Sequence, residues 1–171
     1  MITDIKTIED FIDVRDGQSY KMIRVGDLIW FDENFKFKTS DSAFLENNIN
    51  YEHYGRCYSL SSAIKNCPRN WHLPTNDEWI TLLESLIYPE KSTGFILFNN
   101  EMTGSVDLKM HFINNDPLNF LSILDKRCGY WTRGGRNPRI NRSWEYQNGI
   151  FDSTIIFRED IKLFVRYVKM A

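Results

Sequence analysis

The stretch from residue 67 to residue 79, which reads CPRNWHLPTNDEW, constrains the fold more than any other part of the chain. Thr75 is followed three residues later by Glu78, a spacing that forms a capping box and predicts that a helix begins here. Trp71 and Trp79 flank the same turn, so a large apolar area is available to fix its angle. The stretch therefore predicts a packed corner at which one helix ends and another begins.

Two short helices and a hairpin are predicted around this corner. Residues 59–66 form the first helix, with Ser59 in position to cap its start. Residues 76–87 form the second helix, because their apolar members recur at the spacing of one helix face. Residues 19–25 and 28–35 alternate between apolar and polar side chains, and the Gly-Asp pair between them predicts a tight hairpin turn.

The later part of the chain has the pattern of short strands. Four strand-like segments occur at residues 129–133, 143–147, 150–157 and 162–168. The Asn148-Gly149 pair between the middle two predicts a two-residue hairpin turn. The preceding residues, 88–126, have poor periodicity and many turn-forming pairs, so we expect an irregular, loop-rich half.

Length and composition indicate one folded domain. The 171 residues fit a single domain, 1–171, and the hydrophobic content of 42% and aromatic content of 15% support a substantial core. The net charge of −2 provides no general field that would attract nucleic acid or a membrane surface. No segment approaches the roughly 20 apolar residues that are needed to span a bilayer, so we expect no membrane insertion.

Several sequence blocks, in order, resemble the Fibrobacter succinogenes major paralogous domain family. CPRNWHLPTNDEW resembles its CPxGWHLPTxxEW motif, DVRDGQSY with the following RVGDLIW resembles its opening block, and FVRYVK resembles its closing FSVRCVK. YGRCY, GYWT and SWEY match further blocks in the same order. The resemblance implies an α+β fold of C-type-lectin-like type, with a twisted antiparallel sheet, two short helices and a loop-rich half. It also implies a bacterial protein of a family that is usually secreted or surface-attached, and it implies little about activity.

The cysteines depart from the family pattern. The family usually carries a cysteine in the closing strand, expected to bridge to the cysteine of the corner motif, and Tyr167 stands at that position here. The three cysteines, Cys57, Cys67 and Cys128, are an odd number without framework spacing. A Cys57–Cys67 bridge is open to the chain, but the missing partner favours three free thiols. Asn70 replaces the glycine of the motif and is expected to adopt the left-handed conformation.

An arginine-rich loop is the strongest candidate for ligand recognition. Four arginines occur at every third position from 133 to 142, and Gly-Gly and Asn-Pro pairs make the segment a loop. Arginine forms bidentate bonds with carboxylate or phosphate groups, and Trp and Tyr supply rigid contact area. The alternative is a loop whose charge only keeps it soluble, with Trp131 and Trp144 in the core. The predicted ligand-binding residues are Arg133, Arg136, Arg139, Asn141, Arg142, Trp131, Trp144 and Tyr146.

Catalytic, nucleic-acid and metal sites have little support. The chain has no G-x-S-x-G elbow, no phosphate-binding glycine loop and no H-E-x-x-H helix, so we predict that it is not an enzyme. No second basic stripe accompanies the arginine-rich loop, so we expect no nucleic-acid partner. The Asn- and Asp-rich residues 99–116 lack the spacing of a calcium loop. A possible zinc set lacks a closely spaced cysteine pair; its members are His53, Cys57, Cys67 and His72. We therefore expect no metal and no cofactor.

The sequence thus predicts a non-enzymatic binding module that engages a protein surface or a glycan through its loops. The alternative is an interaction subunit of a larger bacterial assembly, such as a fibre tip, a secretion apparatus or a phage-like particle. The first ten residues include three acidic ones and no apolar run, so they do not resemble a signal peptide. We therefore expect either a cytoplasmic location or export by a non-classical route.

Overall fold

The chain is a mixed α+β protein. A computed structural model describes residues 5–44, 49–86, 96–97, 128–133, 141–147, 150–156 and 161–171. The strands are β1 (Ile5–Ile12), β2 (Ser19–Val25), β3 (Leu28–Phe31), β4 (Ile96–Leu97), β5 (Cys128–Thr132), β6 (Asn141–Gln147), β7 (Ile150–Ile156) and β8 (Val168–Met170). The helices are α1 (Leu60–Lys65) and α2 (Asn76–Leu86), and a 3-10 helix spans Ile49–Tyr54. These elements confirm the α+β class predicted from the sequence.

The described strands form two antiparallel sheets, where the sequence predicted one. The first sheet has the order β1-β2-β3-β8, and the second has the order β4-β7-β6-β5. β2 and β3 form the first predicted hairpin, in which Val25 pairs with Leu28 across the turn. β6 and β7 form the second, because Gln147 pairs with Ile150. The turn between these two residues, 148–149, lies outside the described residues.

The first strand, β1, has no counterpart in the sequence-based prediction, for a physical reason. Its ladder with β2 shifts register between Ile8 and Phe11, which marks a β-bulge. Because the bulge interrupts the alternation, Ile8 and Phe11 both pack against the core although they lie three positions apart. The period of two that usually reveals a strand is therefore missing from this segment.

The segment that precedes β8 also differs from the prediction. The sequence predicts a strand at residues 162–168, but the ladder of β8 begins only at Val168. Leu163 exchanges both of its backbone hydrogen bonds with Tyr58, and Phe164 bonds to β5 instead. No single strand of the described chain runs alongside this segment, and its backbone groups are bonded one by one to different neighbours. It is extended without being a regular strand.

Buried aromatic rings form much of the core. The ring centre of Phe31 lies 4.4 Å from that of Trp71 and 4.8 Å from that of Tyr20. Phe35 meets Tyr167 edge-on, with 4.9 Å between the ring centres. Aromatic pairs at such separations contribute about 0.5–1.5 kcal/mol each beyond the burial of their area. The rings therefore join β2, β3, the corner and the closing segment into one packed unit.

The second helix, α2, contacts both sheets through Trp79. The ring centre of Trp79 lies 5.1 Å from that of Trp30 on β3 and 5.3 Å from that of Tyr130 on β5. Trp79 and Leu82 are both fully buried, in agreement with the apolar face predicted for this helix, while the side chains of its other members, Leu83 and Leu86, lie outside the description. α2 begins at residue 76, as the sequence predicts.

The first helix, α1, is short and capped at its start. The hydroxyl of Ser59 accepts a hydrogen bond from the backbone N–H of Ser62 at 3.2 Å. The same hydroxyl donates to the carboxylate of Asp41 at 2.6 Å. The predicted range, 59–66, agrees with the observed helix to within one residue at each end, and the predicted cap is confirmed.

Most of the irregular half predicted for residues 88–126 lies outside the described residues, which include only β4 from it. The Asn- and Asp-rich segment 99–116, considered above as a possible calcium loop, also lies outside the described residues. Neither helix in the described part of the chain is long and apolar enough to cross a bilayer.

Two glycines provide a matched test of backbone packing. Gly55 has a φ of 86°, and a Cβ there would lie 2.9 Å from the Cβ of Asn34. Gly17 has a φ of 74°, but a Cβ there would meet nothing within 4 Å. We expect Gly17→Ala to lower the free energy of unfolding by about 1 kcal/mol, because of backbone strain alone. Gly55→Ala should lower it by at least about 2 kcal/mol, because a clash adds to the strain. Denaturant unfolding of both variants measures this, and equal losses would contradict the packing around Gly55.

Two carboxylates should make the fold sensitive to acid. Hydrogen bonds from Arg15 lower the pKa of Asp13. Burial raises the pKa of Asp41, but hydroxyl donors led by Ser59 outweigh it and hold the pKa well below its usual range. A carboxylate with a depressed folded-state pKa stabilises the protein above its unfolded-state pKa of about 4, and this contribution is lost as the pH falls.

We therefore expect the free energy of unfolding to decrease as the pH is lowered from about 5 to about 2. Asp13→Asn removes one of the two groups, so the variant should be less stable near neutral pH and its stability should depend less on pH. Urea unfolding at a series of pH values measures both effects. A pH dependence in Asp13→Asn as steep as in the native protein would show that Asp13 does not contribute.

Candidate functional site

β5 carries the chain from the core to the surface at the start of the arginine-rich loop. Trp131 and Thr132 are buried, whereas Arg133 is exposed. The backbone N–H of Arg133 donates to the carbonyl oxygen of Pro74 at 2.8 Å. The loop therefore begins at the surface, and its first residue is bonded to the corner that precedes α2.

β5 is bonded along both of its edges, which makes it a firm base for the loop. On one edge it pairs with β6, where Thr132 lies opposite Arg142. On the other edge, the N–H of Trp131 donates to the carbonyl of Phe164 at 3.1 Å, and the N–H of Phe164 donates to Gly129 at 3.1 Å. A strand with partners on both edges belongs to the part of a protein that opens least readily.

The structure places Trp131 in the core, which corrects its inclusion among the ligand-binding residues. Its side chain is only 1% exposed. The indole N–H donates to the carbonyl oxygen of Tyr58 at 2.6 Å, so the polar atom of the ring is satisfied inside the protein. Tyr130, the preceding residue, is also 1% exposed, and two successive buried aromatic residues indicate a strand that is covered on both faces. The consecutive aromatic residues Tyr130 and Trp131 are therefore the sequence pattern from which a buried position for Trp131 could be predicted.

The register of β6 places the remaining candidates on that strand. Trp144 lies opposite the buried Tyr130. Because alternate residues of a strand belong to the same face, the positions of Arg142, Trp144 and Tyr146 share one face of the sheet. The position of Asn141 belongs to the other face. β6 therefore divides these candidates between two faces.

Arg136 and Arg139 lie outside the described residues, as does the whole segment 134–140. Among the four arginines of the loop, Arg133 is the one whose side-chain exposure the structure describes. It is exposed, and it forms no ion pair with any of the described residues. The arginine-rich site thus stays a prediction, and its first residue has the accessibility that a ligand contact requires.

The corner that holds Arg133 is the capping box predicted from the sequence. The N–H of Thr75 donates to the carboxylate of Glu78 at 2.7 Å, and the N–H of Glu78 donates to the Thr75 hydroxyl at 3.2 Å. Asn70 has a φ of 68°, the left-handed conformation expected of it. Both tryptophans that flank the turn are buried. The predicted packed corner is therefore confirmed.

Further polar contacts complete the surface of the corner. The Nε2 atom of His72, a member of the zinc set considered from the sequence, lies 2.8 Å from the carboxylate of Glu78. The ammonium group of Lys169 lies 4.8 Å from the ring centre of Trp71, within the range of a cation–π contact. The charged groups beside the turn are thus used in holding it.

A second polar cluster, which the sequence analysis did not single out, involves Arg15. Its guanidinium donates to the carboxylate of Asp13 through Nη2 at 2.6 Å and through Nε at 2.8 Å. Nη1 donates to the backbone carbonyl of Asn66 at 2.9 Å, and the group lies 4.3 Å from the ring centre of Phe37. The Asp-x-Arg spacing was the available signal, since it allows the two side chains to meet across one intervening residue.

The described residues contain no group of three or more His, Cys, Asp or Glu side chains that could hold a metal ion. Cys57 and Cys67 are free thiols, as predicted, whereas the side chain of Cys128 lies outside the description. Burial raises the pKa of each described thiol to about 12, so both are neutral at physiological pH. A neutral buried thiol is a poor nucleophile and a poor metal ligand.

Comparison with known proteins gives one finding. The family model of the Fibrobacter succinogenes major domain matches residues 23–111. This range contains the corner with α1 and α2, and it ends before β5 and the arginine-rich loop. No curated protein and no solved structure matches the chain.

The capping box can be tested with a pair of threonines on the same helix. Thr75→Ala removes the hydroxyl that accepts from Glu78, so we expect the free energy of unfolding to fall by about 1 kcal/mol. Thr81 is the matched control, because its hydroxyl only donates to the carbonyl of Asp77 within α2. Thr81→Ala should change stability little, since alanine is the better helix former. Thermal or urea unfolding measures both variants, and a loss in Thr81→Ala as large as that in Thr75→Ala would argue against a specific cap.

Proposed function

The chain belongs to the Fibrobacter succinogenes major domain family, whose model covers just over half of it, and from this premise we propose that it is a non-enzymatic binding module. In this proposal the packed corner and the two sheets form a stiff scaffold. The arginine-rich loop between β5 and β6 presents the contact groups. The ligand is a protein surface or a glycan.

The change from buried to exposed residues at the end of β5 is the observation that supports this proposal most directly. Thr132 is fully buried and the next residue, Arg133, is exposed. The backbone bond from Arg133 to Pro74 fixes the point at which the chain leaves the scaffold. The backbone of a contact residue anchored in this way loses little conformational freedom on binding, which favours affinity.

The chemistry of the loop indicates what kind of group the ligand presents. Arg133 is exposed and has no ionic partner among the described residues, and in this proposal its guanidinium meets an external acceptor. Guanidinium groups bind carboxylates and phosphates with paired hydrogen bonds and also stack on flat rings. A protein surface with acidic side chains and a glycan with acidic substituents both carry such acceptors.

We further propose that the fold is of the C-type-lectin-like type implied by the sequence resemblance. Three features support this finer assignment: two antiparallel sheets, two short helices, and a last strand that lies beside the first hairpin in the same sheet. In folds of this architecture, recognition by loops at one end of a rigid scaffold is a common arrangement.

Substitution of the loop arginines tests the proposed function. The triple variant Arg133→Ala, Arg136→Ala, Arg139→Ala should lose at least about tenfold in affinity for whatever partner the native chain binds, because arginines are frequent binding hot spots. The partner is sought with a glycan array and with a pull-down by the immobilised native chain. Affinities of both proteins for each recovered partner are then measured by calorimetry.

A matched control separates specific contact from a general loss of charge. Lys38, Lys65 and Lys162 are exposed and lie elsewhere on the chain, and replacing all three by alanine changes the net charge by the same amount. This control should bind like the native chain. Unchanged binding by the arginine variant, or an equal loss in the lysine variant, would remove the loop from the proposed site.

A further inference from the structure

The loop between β1 and β2, residues 13–18, is fastened to the rest of the protein mainly by its charged residues. Asp13 is 2% exposed, whereas Val14 is 93% exposed. Residues 14–17 are all exposed, so the loop buries little apolar surface of its own. A segment with few buried apolar contacts has a low free energy of local opening. Its attachment therefore depends on specific polar bonds.

The Asp13–Arg15 pair supplies the bond that crosses to the end of α1, while Gln18 at the other end of the loop donates to the carbonyl of Lys36 at 3.3 Å. Asp13 accepts from the Nε and Nη2 atoms of Arg15, which orients the planar guanidinium. The remaining nitrogen, Nη1, then points to the carbonyl of Asn66, 51 positions away in the sequence, at a distance of 2.9 Å. Asn66 is the residue at the C-terminal end of α1. The carboxylate is therefore the part that positions the arginine.

The geometry points to a local conformational device, and we propose that Asp13, Arg15 and Asn66 form a clasp that opens and closes the 13–18 loop over the end of α1 without unfolding the sheets. In the closed form the guanidinium also covers the ring of Phe37. The open form uncovers the end of α1 and the residue that follows Asn66, which is Cys67.

Cys67 provides a natural reporter for this opening. Cys67 is partly buried against the core, and this burial raises the pKa of its thiol to about 12, while the nearby charge of Arg15 acts in the opposite direction. Alkylation needs the thiolate, so a thiol with this pKa reacts slowly until it is exposed to water. Cys57 is buried inside the protein and should react only after global unfolding, which makes it an internal control.

The test is the rate of alkylation of each thiol in the native full chain by N-ethylmaleimide near pH 7.5. The thiolate sulfur adds to the double bond of the maleimide, and a solvent proton completes the addition. Mass spectrometry of proteolytic peptides resolves the two sites. Asp13→Asn and Arg15→Gln should each raise the rate at Cys67 at least about tenfold, because the bond that closes the loop is lost. Cys57 should accelerate only by the factor by which the variant lowers the stability of the whole protein, which urea unfolding of the same variant measures.

Val14→Ala is the matched control, since it alters the same loop at an exposed position that takes no part in the clasp. Its Cys67 rate should equal that of the native protein. If Cys67 reacts no faster in the two clasp variants, or if Cys57 accelerates with it to the same degree, the proposed local opening is wrong.

A measurement on the native protein keeps the proposal testable if a clasp variant fails to fold. Local opening exposes little surface, so alkylation of Cys67 should depend weakly on urea at low concentrations, whereas alkylation of Cys57 should follow the steep dependence of global unfolding. Equal urea dependence at both cysteines would overturn the clasp.

Discussion

The extended segment from Leu163 to Val168 is the constraint on which the rest of the structure depends. All six of its residues are buried. Its backbone bonds to five separate parts of the chain, among them β5, β3 and the residues around Tyr58 and His72. A regular strand would satisfy its backbone groups with one or two neighbours, whereas this segment joins both sheets, the entry to α1 and the corner. The relative positions of these elements are therefore set by a single stretch of backbone.

Tyr167 shows how the same segment closes the core without a covalent bond. Its hydroxyl donates to the carbonyl of Ala63 in α1 at 2.6 Å, and its ring packs edge-on against Phe35. Burial raises the pKa of this phenol, so it stays a neutral donor. The family resemblance would place a cysteine here, bridged to the position of Cys67. In this chain a hydrogen bond and aromatic packing connect the closing segment to α1, and that connection does not depend on oxidation.

The elements that the sequence predicts well are those that depend on residues close to one another in the chain. The capping box at Thr75 and Glu78, the cap at Ser59, and the β2–β3 hairpin each depend on residues within a few positions of one another. The type and the start of each helix follow from such spacing, because caps and apolar periods act over one or two turns. These parts of the fold follow from the sequence alone.

The parts that were missed depend on tertiary contacts. β1 lacks strict alternation because of a bulge in its pairing with β2, and the closing segment has strand-like composition but no single described strand along its whole length. The division of the strands between two sheets likewise results from which strands meet, a matter that composition does not determine. At the candidate site, the exposure of Arg133 agrees with the prediction, whereas the role of Trp131 was wrong because burial of a tryptophan depends on what covers both faces of its strand.

The contrast between Trp131 and Arg133 also explains how a firmly bonded strand can be followed directly by an exposed arginine. The ring of Trp131 is buried, and its indole N–H is bonded to a carbonyl inside the protein. The strand cannot shift without breaking this buried hydrogen bond, which would lower the stability of the fold. Two residues later, Arg133 contributes only its backbone N–H to the scaffold, through the bond to Pro74, and keeps its side chain outside. The backbone of Arg133 is thus held by the corner, while its side chain is exposed. The matched family region contains the corner that makes this bond and ends before the loop begins, so residues of the loop could vary without altering the structure that holds them.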